Sequence, residues 1–151
     1  MYQVSFVHRL TKVLVDIMFF GGIFVYLTLP VLLPFYMRYL YLFPSRWNVP
    51  SIVLLIISGI CGLFILYQLK KMLKSLIGNK PFVHQNVSCF RKCGVASFII
   101  SLMFFIRLFV GFTPGAAIIV VIFAMLGLFS LTMKDVFKQA VFYKEENDWT
   151  V

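Results

Sequence analysis

The chain has 151 residues, 62% of them hydrophobic and 13% charged, with a formal net charge of +9 and a mean hydropathy of +0.97. Soluble globular domains hold about 25% charged and roughly 45–50% apolar residues, so the composition excludes an ordinary soluble domain and leaves a small integral membrane protein. Four apolar stretches of about 20 residues use nearly all of the length, which leaves no room for a separate catalytic or nucleic-acid-binding domain.

The first apolar run extends from Val13 to Phe35 and is interrupted only by Asp16. It is longer than a signal-peptide core of about 7–15 residues and meets no Ala-x-Ala-like site, so it reads as a retained helix. Gly21-Gly22 and the segment from Pro30 to Pro34 make it the span most able to bend. The connection from Met37 to Pro50 carries Tyr39, Tyr41, Phe43 and Trp47, with Tyr36 just before it, amphipathic rings suited to a membrane surface. The remaining runs are Ile52 to Leu69, Gly94 to Phe109 and Ala116 to Met133. At about 1.5 Å per residue each crosses a hydrocarbon layer of about 30 Å, the shorter ones with little tilt. The expected fold is an all-α membrane protein, one domain over residues 1–151, with four transmembrane helices arranged as two hairpins. Ser58 with Gly62, Ser97 with Ser101, and Ala124 with Gly127 are small residues that let such helices approach. A faint internal echo, Gly62-Leu63-Phe64-Ile65-Leu66 against Gly127-Leu128-Phe129-Ser130-Leu131, fits the two-hairpin plan.

Charge sets the direction. Of the 14 Lys and Arg residues, only Arg38, Arg46 and Arg107 lie toward one side. Arg9, Lys12, Lys70, Lys71, Lys74, Lys80, Arg91, Lys92, Lys134, Lys138 and Lys144 lie toward the other. Positive charge is retained in the cytoplasm during insertion, so both termini and the middle connection are expected there. This accounts for most of the net charge without nucleic acid, and no direct nucleic-acid binding is expected.

Past Leu69 the helical pattern continues: Leu66, Leu69, Leu73 and Leu76 keep an apolar face while Lys70, Lys71 and Lys74 take the other. Gly78-Asn79 and then Pro81 stop the helix. Val83, Val87 and Phe90 resume the spacing, with Asn86, Arg91 and Lys92 turned away. Residues 70–93 are therefore expected to form a cytoplasmic helical hairpin with its tip at Gly78 to Phe82. After the fourth span, Met133, Val136, Phe137, Ala140 and Val141 form one stripe over residues 134–146. The stripe either packs on the hairpin or lies along the lipid, and packing covers more apolar surface. The tail concentrates acid in Glu145, Glu146 and Asp148, to be drawn in by the basic hairpin or left solvated.

Groups for chemistry are few. His8, His84 and Asp16 stand apart, and no zinc-protease, nucleophile-elbow or phosphate-loop pattern occurs. Catalytic residues, cofactors and metals are not expected. Cys89 and Cys93 with His84 supply only three soft ligands, without Cys-x-x-Cys spacing, and no disulfide is expected with Cys61. Arg107 is the most costly residue in a span. Counted from the inner ends it shares a depth with Tyr26, whose carbonyl Pro30 leaves without a donor. It either binds that oxygen or snorkels to outer headgroups.

The stretches Leu69-Lys70-Lys71-Met72-Leu73-Lys74, Gly78-Asn79-Lys80-Pro81-Phe82, Asn86 and Arg91-Lys92 resemble a bacterial family of small four-span proteins, domain of unknown function twenty-nine seventy-five. So does the ending, with Val136-Phe137-Lys138-Gln139-Ala140 and Glu145-Glu146-Asn147-Asp148-Trp149-Thr150-Val151. The resemblance implies a multi-span plasma-membrane protein with no assigned activity. Relatives often encoded beside a small helix-turn-helix regulator imply a signalling partner of that kind. The expected function is a non-enzymatic regulatory or adaptor protein that docks a cytoplasmic partner. Gly78, Pro81, Phe82 and Asn86 would shape the tip, and Glu145, Glu146 and Asp148 would make an acidic contact. The alternative is a small transporter, permeation or immunity component built around Arg107, Tyr26 and Pro30.

Overall fold

The structure, a computed structural model, describes residues 6–40, 48–78 and 83–149, and within these the side chains other than those at 6–8, 30, 33–40, 48–52, 110 and 148–149. Four helices follow one another: α1 Phe6–Leu40, α2 Asn48–Ile77, α3 His84–Val110 and α4 Pro114–Trp149. Each is long and apolar enough to cross a membrane, and the described residues contain no strand. Large apolar side chains stand exposed along the outside of all four, among them Phe24, Phe64, Phe109 and Val121. Such surfaces are stable where lipid, not water, covers them. The protein is a multi-pass membrane protein.

The helices begin and end for local reasons. The amide of Gly78 donates to the Lys74 carbonyl at 3.1 Å, closing the last turn of α2. Val83 precedes α3 in an extended conformation, φ −135° and ψ 146°, with no side-chain cap. Gly111 ends α3 with its amide on the Arg107 carbonyl at 3.1 Å. Thr113 opens α4 by accepting from the amides of Ala116 and Ala117 at 3.0 and 3.2 Å. Pro114 occupies the first turn, where its missing N–H costs nothing. Charge does not end any of these helices. The apolar runs lie within longer helices, and α4 passes from span to terminal extension without a break.

Neighbours in sequence are neighbours in space: α1 packs on α2, α2 on α3 and α3 on α4, with no other pair of helices in contact among the described residues. The core centres on α3, where Cys93, Ala96 and Ile100 are buried with Ile65 of α2, and Phe104, Ile119 and Phe123 pack around them. Ser101 ties α3 to α4 by donating to the Val120 carbonyl at 3.0 Å. α1 is the least covered helix, meeting α2 through Gly22 on Leu63 and Tyr26 on Gly59.

Candidate functional site at the basic end

The start of α1, the end of α2, the start of α3 and the end of α4 share one end of the molecule. This basic end carries Arg9, Lys12, Lys70, Lys71, Lys74, Arg91, Lys92, Lys134, Lys138 and Lys144. Here the packing is as close as in the core, although the sequence is more polar. Leu73, Cys89 and Val141 are 7, 3 and 2% exposed and Asn86 is fully buried. The Phe90 and Phe137 rings meet at 4.9 Å between centroids, so the terminal stripe lies on α3, with Val136 at its exposed edge.

Asn86 corrects the sequence reading that turned it away with Arg91 and Lys92. α3 is covered on two sides, by α2 and by α4, so an inner position exists where a one-faced helix would have an outer one. The Asn86 amide donates to the Ser75 hydroxyl at 3.4 Å, which gives this buried polar group a partner across the α2–α3 contact. Gly78 stands at the end of α2, while Pro81 and Phe82 lie outside the described residues.

On the other side of α3, His84 Nε2 is 3.0 Å from Glu145 Oε1, so the acidic tail reaches the start of α3 through this exposed pair. Glu146 is exposed on the same terminal turns, and the side chain of Asp148 lies outside the described residues. His84 is thus turned to α4 and does not join the thiols. Cys89 and Cys93 are buried, and Cys93 Sγ points to the Ile65 carbonyl at 4.0 Å.

A third contact was not read from the sequence. Lys70 Nζ lies 3.0 Å from Asp16 Oδ1 and 4.7 and 5.3 Å from the centroids of Phe20 and Phe19. The carboxylate oxygen makes no directed hydrogen bond, so the contact is one of charge, reinforced by cation–π attraction. It fastens α1 to α2. By contrast, Arg107 and Tyr26 sit on helices with no contact between them among the described residues: the Tyr26 ring faces Gly59 of α2, and Arg107 is half-buried on α3. The Pro30 side chain lies outside the described ones, and α1 is helical through that position.

The face of the terminal extension turned away from α3 is open. Asp135, Lys138, Gln139, Phe142 and Tyr143 line a shallow surface there, with the two aromatic rings 62 and 68% exposed. The arrangement offers a shaped surface, basic on one side and aromatic on the other.

No curated protein and no solved structure matches the chain. The model of the family described as "Protein of unknown function (DUF2975)" matches residues 33–151, a stretch that holds α2, α3 and α4 and with them the whole packed basic end except the Asp16 clasp, and the chain belongs to that family.

Proposed function

We propose that the protein is a non-enzymatic regulatory or adaptor protein of the bacterial plasma membrane, with its basic end in the cytoplasm as a docking platform. The observation that carries this reading is that close packing continues beyond the apolar runs. Asn86, Cys89 and Val141 are the best-buried residues of the basic end, and all three lie beyond the apolar runs. A mere anchor needs no ordered structure outside the lipid, whereas a docking surface needs a rigid one. The open aromatic and charged face of α4 supplies the contact, and the family resemblance points to a small helix-turn-helix regulator as its partner. The positive-inside rule supports a cytoplasmic position for this end. A transport reading has less support, because Arg107 and Tyr26 are not assembled into one polar site.

The test is photo-crosslinking in native membranes with the crosslinker at Tyr143. The intact chain should capture a soluble DNA-binding protein that a chain lacking residues 144–151 does not, with both inserting equally. Identical captured sets would count against docking. Liposomes holding the intact chain or the Arg107→Leu variant should conduct no ions; flux that depends on Arg107 would favour transport instead.

A further inference from the structure

Between Asp16 and Asp135 the sequence contains no Asp or Glu, so α2 and α3 bring only positive charge to the basic end. Lys70 is answered by Asp16 and Lys134 by Asp135. Among the described residues no acid answers Lys71 or Lys92. These two belong to adjacent helices, both are exposed, and each lies between the two points that join α2 to α3, Asn86 on Ser75 and Cys93 on Ile65. Two like charges are thus held on one short stretch of the α2–α3 contact.

Their depth is specific. Lys71 stands two residues past Leu69 and Lys92 two residues before Gly94, about 3 Å beyond the ends of the apolar runs. The headgroup layer begins at that boundary and is about 5–8 Å thick. From each lysine an exposed apolar stripe runs toward the middle of the membrane. On α2 it is Phe64, Ile60 and Ile57; on α3 it is Val95, Ile99 and Ile106. The spacings keep each stripe on its lysine's side of the helix.

We propose that this α2–α3 seam binds an anionic phospholipid of the surrounding leaflet, its phosphate between the Lys71 and Lys92 ammonium groups and its acyl chains along the two stripes. A zwitterionic lipid carries its own cation and gains less from a site with two cations and no acid. A free phosphate has no chains to lay on the stripes. The site is independent of the docking reading and needs no protein partner.

The protein is reconstituted in nanodiscs of equal phosphatidylglycerol and phosphatidylcholine, released into mild detergent, and its retained lipids are counted by native mass spectrometry. Phosphatidylglycerol should be retained over phosphatidylcholine. Lys71→Gln with Lys92→Gln should reduce that retention by about tenfold or more, each single change should give an intermediate loss, and Lys71→Arg with Lys92→Arg should keep it. Lys138→Gln with Lys144→Gln removes equal charge from α4 and should keep it as well. The single variants keep the test readable should the double variant misfold. Retention unchanged by the seam variants would overturn the proposal, as would an equal loss in the α4 variant, which would make the attraction diffuse. Displacement of the lipid by excess inorganic phosphate would overturn it too, because the stripes would then contribute nothing.

Discussion

Gly94 and Gly127 meet where α3 and α4 come closest. A methyl added at Gly94 would stand 3.1 Å from Leu131 Cγ and 3.3 Å from the Gly127 carbonyl oxygen, and one at Gly127 would stand 3.0 Å from the Phe98 ring. The Gly127 carbonyl is helix backbone and cannot swing aside, so Gly94→Ala should lower stability by about 1–3 kcal/mol, read as a fall in the thermal midpoint in detergent. Gly62→Ala is the control: nothing lies within 4 Å of its added methyl, and alanine favours a helix over glycine by about 1 kcal/mol, so its midpoint should hold or rise. Gly62 and Gly127 open the same Gly-Leu-Phe echo, and Gly62 looks like a packing residue beside Ser58. The helix approach is at Gly59 instead, under the Tyr26 ring; the one position from Ser58 to Gly59 turns the helix face by about 100°, which apolar sequence on every side conceals. The Asp16–Lys70 contact was legible in principle. Asp16 stands three residues inside the first apolar run and Lys70 one past the second, which is nearly the same depth in an antiparallel hairpin. Depth alone also paired Arg107 with Tyr26, on helices that do not meet among the described residues, so it needs to be joined to knowledge of which helices are neighbours. Lys70→Leu should loosen α1 by about 1 kcal/mol, between the values for exposed and buried pairs, seen as faster amide exchange in α1. Adding Asp16→Asn should restore part of the loss, because the single change leaves a half-buried carboxylate without its cation.

α4 shows how an element outlasts its membrane segment. Its 36 residues span about 54 Å, against about 30 Å of hydrocarbon, so several turns stand clear of the lipid and need another surface to cover their apolar stripe. α3 provides it, with Phe90 on Phe137 and Val141 2% exposed. Val141→Asp would place a carboxylate at a position only 2% exposed, and should release the extension while leaving the spans inserted. Limited trypsin digestion of membranes should then cut after Lys138 and Lys144 about tenfold faster than in the unaltered chain, with α2 and the first turns of α4 protected as before. Equal cutting would mean that the stripe rests on lipid. The extension was legible because its spacing is helical and its two faces differ. What the sequence concealed was that one helix would be covered on two sides, and so it placed Asn86 outside. A polar residue in a helix reads as solvent-facing until a partner such as Ser75 is known to stand across from it.

At the scale of the whole molecule, the helices form a row in which, among the described residues, α1 is held by α2 alone, and that order is not written in composition. In lipid the outward faces are as apolar as the inward ones, so periodicity says which residues are helical but seldom which face meets protein. Charge, in contrast, is one-sided along the chain, and it fixes which ends lie together: the contacts of Asp16 with Lys70, Asn86 with Ser75 and His84 with Glu145 all fall at the end that the cations mark. Which compartment that end faces is a separate matter, decided during insertion by the same cations. In a chain with Cys61, Cys89 and Cys93 replaced by alanine, single cysteines at His84 and at Phe112 test it. Both positions are exposed and lie at opposite ends of α3. A membrane-impermeant maleimide added to intact cells should label the Phe112→Cys chain and spare the His84→Cys chain until the cells are opened. The reverse pattern would put the aromatic face of α4 and the Lys71–Lys92 pair on the outer surface. The docking reading would then fail, since a soluble DNA-binding partner could not reach it, while the lipid seam would remain and simply draw on the other leaflet.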